Sequence, residues 1–467
     1  MAGQSTAILT IWLLEFAGES KYVYSLNLPA KEHHPYIPTK MTNDLKPIRD
    51  SLISSINEYY VFLRSPSSFP VKVKAEAEKK DCEKDLMDTI SMVERLKMAE
   101  DQKGVIEAFK DLIGHKIKTN LEANDIFEQI WNDPTLTHLI IQTNDNKIPW
   151  EWAYNDEEEK DDKKFLCERF AVGKVFSEKT TEFHAFMQKS EKSFGTAKKV
   201  KQNLTNEADI ILFYDNRKDL ENFPDKKFPG KQKDIEFLEL VEEEINEIEK
   251  IFKNKKFKKI HKIDGQDKNF AVRFNHYFNP KYLRQCQLIH FSGHLVVGKG
   301  GSAKIIVKGN KLGEHREIGP EEIGASQSSR KNLLMSGPLV FLNGCQSGEI
   351  EDIWEQGNNL STEFMRLGAS GCICTYLPIR DDIARDFAVY FYEKYTDFAE
   401  PTTVGQAIVC AREKTKEKYK DTLSWLFFTF YGNPEESLIP LPEKEVKTFY
   451  NQMMLEEYKE ENLAARS

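Results

Sequence analysis

Two residues of this chain are suited to covalent chemistry, a histidine and a cysteine, each ending an apolar run and each set among glycines. His294 closes Leu288-Ile289-His290-Phe291-Ser292-Gly293-His294, and Cys345 lies in Leu339-Val340-Phe341-Leu342-Asn343-Gly344-Cys345-Gln346-Ser347-Gly348. A thiol with its ordinary pKa of about 8.5 is mostly protonated at neutral pH, so it needs a base or a positive charge beside it to react. His294 would supply that base, activating Cys345 and then protonating a leaving amine as a general acid. Gly293, Gly344, Ser347 and Gly348 let a substrate backbone approach closely. The amide N–H groups of Cys345 and of Leu295 are the expected oxyanion donors. Taken singly, a strand cysteine is a small core hydrophobe and a lone histidine is a satisfied polar residue. What separates this pair from that reading is their joint appearance at matched strand ends.

The elements that position the pair follow from its surroundings. Each apolar run reads as a buried β-strand opening into a small-residue turn. Side by side and parallel, the two strands would put imidazole and thiol at the carboxyl edge of an α/β sheet, where such sheets bind ligands. The flanking sequence supports such a sheet. Ile210-Ile211-Leu212-Phe213-Tyr214 is a strand, and Ile235 to Phe252 is a helix with Leu238, Val241, Ile245, Ile248 and Phe252 on one face. After the cysteine strand come a helix around Leu360 to Leu367, a strand from Gly371 to Leu377, and helices from Asp381 to Tyr395 and Thr403 to Lys416. This alternation argues for a parallel sheet flanked by helices.

The earlier part of the chain reads as a second α/β lobe. A strand pair, Ile8 to Leu13 and Tyr22 to Leu26, turns near Gly18. Leu45, Ile48, Leu52, Ile56 and Leu63 recur at helical spacing, and amphipathic helices follow between Glu83 and Trp131 with a break near Gly114. Thr137 to Thr143 is a strand, followed by Pro149-Trp150-Glu151-Trp152, whose tryptophans read as core. A charged loop spans Asp156 to Lys164, and a lysine-rich stretch from Ser190 to Gln202 marks the lobe boundary. The division is residues 1–200, 201–440, and a charged helical tail at 441–467. No repeat of 20–50 residues is visible, which argues against a solenoid.

Composition narrows the classes. The chain has 467 residues, 40% hydrophobic and 30% charged, with a net charge of −9 and interleaved Lys and Glu. That balance gives no global basic field for nucleic acid. No apolar run reaches the roughly 18–20 residues of a membrane span, and Met1 to Thr10 lacks the features of a signal peptide. Seven scattered cysteines, an odd number, fit free thiols in a reducing cytoplasm. Gly298-Lys299-Gly300-Gly301 lacks phosphate-loop spacing and reads as a hairpin turn before the strand Lys304 to Val307. A nucleotide-binding switch would rest on this turn alone. His290 and His294, four apart on a strand, would lie roughly 13 Å from each other, so no metal is assigned to them, and no motif calls for a cofactor.

The residues also resemble a known family. "HFSGH" followed by "FLNGCQSG" is similar to the CHAT group of caspase-like peptidases, relatives of caspases, separases and gingipain-type proteases. The likeness extends through "THLIIQTNDNKIPWEW" (137–152), "FLCERFAVGKVF" (165–176), "ADIILFYDN" (208–216), "NLSTEFMRLGASGCICTYLPIRDDIARDFAVYFYEKY" (359–395) and "SWLFFTFYGNP" (424–434), covering about 130 to 440. It implies a caspase-like, mostly parallel sheet flanked by helices, with an N-terminal α/β lobe that is regulatory or degenerate. It implies Cys345 as nucleophile and His294 as base. Leu295 stands where a Gly is common, and Gly344 stands where an Ala is common.

Further expectations follow from the resemblance. In caspase-like folds the strand Gly371 to Leu377 runs beside the primary specificity pocket. An acidic Asp381 or Asp382 after it would favour Arg or Lys at the cleaved position; alternatively, one of them caps the helix that starts there. The substrate would be a protein. A latent state released by an activating protein or ribonucleoprotein partner is implied, in cytoplasmic prokaryotic antiviral defence or regulated cell death. No sensor domain is read in this chain, so the trigger would act through another subunit or a bound ligand. The rival class is a non-enzymatic scaffold, which would have no need of both His294 and Cys345.

Overall fold

The computed structural model describes residues 5–16, 19–28, 51–56, 59, 102–122, 125–145, 148–156, 163–176, 201–202, 209–215, 240–265, 286–297, 303–308, 315–319, 337–346, 360–377, 379–400 and 402–438. The Gly298–Gly301 turn, the middle of the charged loop, Ser347, Gly348, residues 235–239 and the tail at 441–467 lie outside the described residues.

The chain opens with an antiparallel pair, β1 (Ser5–Phe16) and β2 (Glu19–Asn27). Ala7, Leu9 and Ile11 alternate inward along β1, as a half-buried strand requires. Residues 102–122 are helical throughout: α1 (Gln102–Phe109), one wide turn at Lys110–His115 and α2 (Lys116–Glu122). The expected break at Gly114 is thus a local widening of the helix, with Gly114 buried beneath Tyr154. After α3 (Ile126–Trp131) come β3 (Leu136–Thr143), the short helix α4 (Leu166–Arg169) and β4 (Ala171–Phe176).

The second half supplies β5 (Lys201–Gln202), β6 (Asp209–Tyr214), α5 (Val241–Asn254) and β7 (Lys259–Asp264). Next are β8 (Cys286–Val297), β9 (Ala303–Lys308), β10 (His315–Ile318), β11 (Leu339–Gln346), α6 (Leu360–Arg366) and β12 (Gly371–Thr375). The chain closes through α7 (Asp381–Tyr395), α8 (Val404–Lys418), β13 (Phe428–Gly432) and β14 (Ser437–Leu438). Thr403 heads α8 through a reciprocal cap: its Oγ1 accepts from the Gln406 N–H, and Gln406 Oε1 accepts from the Thr403 N–H.

One mixed, mostly parallel sheet runs in the order β10-β9-β8-β11-β12-β13-β4-β3-β1-β2, with β6 and β7 joining alongside β8. The expected lobe boundary near residue 200 falls between β4 and β6, and strands from both sides of it share this sheet. Helices cover both faces. On one, α5 and α7 pack over Ile210, Leu212, Leu288, Leu339 and Phe341, and α8 packs over β4. On the other, α6 packs over Ile211, Phe213, Ile289, Phe291, Val340 and Leu342. This is the caspase-like arrangement, with the central strands apolar on both sides because both faces are covered.

Phe341 anchors β11. Its ring lies 5.6–6.5 Å from those of Phe387, Phe391, Tyr392 and Phe428. Truncating such a residue to Ala costs about 3–5 kcal/mol, so the strand that carries Cys345 is fixed laterally by packing.

Candidate active site

Strands β8 and β11 are adjacent and parallel, paired from Leu288↔Leu339 to Leu295↔Gln346. Cys345 is the register partner of His294, one rung beyond Gly293↔Gly344 and two beyond Ser292↔Asn343. Cys345 is the next-to-last residue of β11, and His294 lies three residues before the end of β8, which continues past the expected turn. Leu288, Phe341 and Ser292 pack towards α5 and α7, so the two-residue alternation puts positions 294 and 345 on that same face.

The glycines that precede the pair, expected in turns, lie within β8 and β11 and are shaped by close packing. Gly293 has φ = 157°, rare for a residue with a side chain, and a Cβ there would come within 3.1 Å of the Asp215 carbonyl and of the Phe291 ring. A Cβ on Gly344 would stand 2.5 Å from Leu295 Cγ and 2.9 Å from the Gly293 carbonyl oxygen. Leu295 itself is buried in the α6-side core.

Under the same rungs lies a buried polar cluster. Glu244, on α5, is 1% exposed. Its Oε1 accepts from His290 Nε2 (2.8 Å) and Asn343 Nδ2 (2.7 Å), and its Oε2 accepts from Ser292 Oγ (2.8 Å). His290 is held at both ring nitrogens: Nε2 meets the carboxylate, and Nδ1 lies 3.0 Å from the Tyr392 hydroxyl. His290 is therefore a packed, fully engaged strand residue. Glu244 escaped the sequence reading, although the inward stripe Val241, Ile245, Ile248, Phe252 leaves position 244 on the same side. A Glu in a buried slot of an amphipathic helix is the signal that pointed to it.

Asp381 and Asp382 open α7. Asp381 Oδ2 accepts from the Leu240 N–H (2.8 Å), joining the start of α7 to the start of α5. Burial pushes its carboxyl up to about 6, against the lowering effect of that hydrogen bond. Asp382 accepts from its own neighbour's amide, Ile383 N–H, and from the Arg380 guanidinium.

Glu151 of the "PWEW" segment is buried and pairs with Lys174 on β4 at 3.2 Å, and Thr429 donates to it at 2.8 Å. The Lys174 ammonium also lies over the rings of Tyr376 and Tyr431. Trp150 and Trp152 are core residues.

The other described cysteines are poorly suited to nucleophilic work. Burial pushes the thiol of Cys167 up to about 12 and that of Cys374 up to about 11, and raises those of Cys286, Cys372 and Cys410.

Residues 108–433 match the CHAT domain, well over half of the chain. The chain belongs to the CHAT domain family. Among solved structures, this CHAT protein is similar to the Arg-specific cysteine proteinase gingipain R, at 13% identity and a TM-score of 0.44, over 71% of this chain and 70% of that one. A complex of the pro- and mature domains of the Porphyromonas gingivalis protein RgpB matches at 12% identity and a TM-score of 0.43, over 71% of each chain. The separase–securin complex of Saccharomyces cerevisiae matches at 11% identity and a TM-score of 0.46, over 93% of this chain but 30% of the matched chain. No curated protein matches the sequence. Among the described residues, no helix is long and apolar enough to cross a membrane.

Proposed function

We propose that this CHAT protein is a cysteine endopeptidase with Cys345 as nucleophile and His294 as general base. The pairing of these two positions on one rung of β8 and β11 carries the reading. In the reaction His294 takes the Cys345 proton, and the sulfur attacks the peptide carbonyl. The tetrahedral oxyanion is met by the amide of Cys345; Leu295, the other expected donor, is paired to β11 and β9 within the sheet. The C–N bond then breaks as His294 protonates the leaving amine. Water, deprotonated by His294, hydrolyses the thioester and releases the acid product.

Gly293 and Gly344, expected to make room for substrate, are packed against Asp215, Phe291 and Leu295 of the chain itself, so the reading of a protein substrate rests on the resemblance. Asp381 would supply a preference for Arg or Lys at the cleaved position. In this reading the enzyme rests latent in a prokaryotic cytoplasm until a protein or ribonucleoprotein partner releases it, as antiviral defence or regulated cell death would require. Hydrogen exchange across 296–330, with and without such a partner, tests latency; unchanged exchange and activity would count against it.

The deciding experiment compares wild type with Cys345→Ala on a peptide library varied at the cleaved position, with and without lysate of the native host. Cleavage lost in the variant is expected. No cleavage in either condition, together with an unreactive Cys345, would overturn the reading in favour of a scaffold that keeps the fold for binding.

A further inference from the structure

We infer that Glu244 is a positioning residue for the His294–Cys345 pair, an inference that rests on the protease reading above. Its carboxylate receives Ser292 from β8 and Asn343 from β11, which are register partners of each other. That rung lies two residues before the rung of His294 and Cys345, on the same face of the sheet. His290 adds a second tie to β8, one same-face position earlier.

The clamp reaches beyond the two strands. Asn343 Nδ2 also donates to the Ala384 carbonyl on α7 at 3.0 Å, and His290 meets Tyr392 on the same helix. One carboxylate on α5 thereby fixes the spacing of β8, β11 and α7 just below the reacting edge. A displacement of about 1 Å at a reacting group can cost about 100-fold in rate, so the spacing of the last rungs matters to the chemistry.

The chemistry of the cluster calls for a carboxylate. All three partners present N–H or O–H to it, and an ionised carboxylate only accepts. An amide would turn two N–H groups into the cluster. It can keep the Oε1 bonds to His290 and Asn343, but Ser292 must turn from donating to a carboxylate to accepting from a neutral amide, which exchanges a charge-assisted bond for a weaker one. Leucine at 244 would strand three buried donors. The two substitutions therefore grade the loss: Glu244→Gln loosens β8 beside His294, and Glu244→Leu releases both strands.

The test measures the rate of iodoacetamide alkylation of Cys345, read on its peptide by mass spectrometry, from pH 5.5 to 9, with and without native-host lysate. Wild type, Glu244→Gln, Glu244→Leu and Ser292→Ala are compared in the full chain. Ser292→Ala deletes one donor and serves if either Glu244 variant fails to fold, as judged by circular dichroism and thermal melting. The expected result is a loss of about 10-fold at pH 6.5 for Glu244→Gln and Ser292→Ala, and about 100-fold for Glu244→Leu. The midpoint of the pH profile should move towards the ordinary thiol value, and peptide cleavage should lose kcat while KM changes by less than about twofold.

A merely structural carboxylate would lower the melting temperature and leave the midpoint in place. Folded variants with a wild-type pH profile, alongside a reactive wild-type Cys345, overturn this inference alone. A wild-type Cys345 that stays unreactive below pH 8.5 in both conditions overturns the protease reading, and this inference with it.

Discussion

Leu295 Cγ lies 2.5 Å from the point that a Cβ on Gly344 would occupy, so the two residues share a space that holds only one side chain. The two departures from the pattern common in CHAT proteins, a Leu after the histidine and a Gly before the cysteine, are therefore one feature. The larger residue on β8 is accommodated by the smaller one on β11, on the face of the sheet covered by α6.

Gly344→Ala is expected to destabilise the protein by about 1–3 kcal/mol through overpacking. The same substitution should cost less in a Leu295→Ala background, since part of the clash is with that side chain. The Gly293 carbonyl at 2.9 Å keeps the relief incomplete. A double-mutant cycle by denaturant unfolding measures the coupling; additive effects would show that the two positions are independent.

The buried Glu151–Lys174 pair gives a second prediction. Lys174→Met leaves the Glu151 carboxylate buried beside Thr429 without its cation, which should cost about 3–5 kcal/mol. Glu151→Gln with Lys174→Met removes both charges and should regain most of that loss. Melting temperatures of the four proteins check it, and a double variant as unstable as the single one would contradict it.

Asp381 should make stability fall with rising pH. Its carboxyl is raised in the folded state, so the folded protein holds this proton more tightly than the unfolded chain does. The contribution is fully present below the unfolded value of about 3.9 and is lost as pH rises to about 6. The carboxylate is partly exposed and screened by water, which limits the effect to on the order of 1 kcal/mol. Asp381→Asn retains an acceptor for the Leu240 N–H and should flatten this window. Unfolding followed between pH 4 and 7 would show it, and the same variant on the peptide library reports whether a preference for Arg or Lys depends on the charge.

Alkylation should be selective among the described thiols. At pH 6.5 Cys345 is expected to react at least tenfold faster than Cys167, Cys286, Cys372, Cys374 or Cys410, whose thiols burial holds protonated. Peptide mapping of the native protein measures this ratio. Equal labelling across the set would mean that Cys345 has no activating base.

Much of this architecture was legible because its signals are local. The strands at 137–143 and 210–214 and the helix from Asp381 to Tyr395 stand within a residue or two of their expected bounds, since apolar periodicity and turn residues define them. The neighbourhood of His294 and Cys345 could be read because each follows a long apolar run, although β8 runs on through Leu295 to Val297 where a turn was expected. What stayed hidden depends on distant contacts. The Glu244 cluster draws together residues 48 and 99 positions away. The bond of Asp381 to Leu240 spans 141 positions, and the seating of Leu295 over Gly344 depends on register. The place of Glu244 on the inward stripe of its helix is the one local trace among them, and it does not name the partners.

Strand β8 changes neighbours along one edge. Up to Ser292 that edge is laced to β6, and from Leu295 onwards it is laced to β9. Gly293 and His294 fall at the changeover, so the ladder on that side is interrupted where the imidazole is carried. A sheet yields most readily where its lacing is broken, and here the break separates a clamped root from the ribbon formed by β9 and β10. The histidine thus sits where β8 is laced on one edge alone, to Cys345 of β11, between the root held by β6 and the ribbon held by β9.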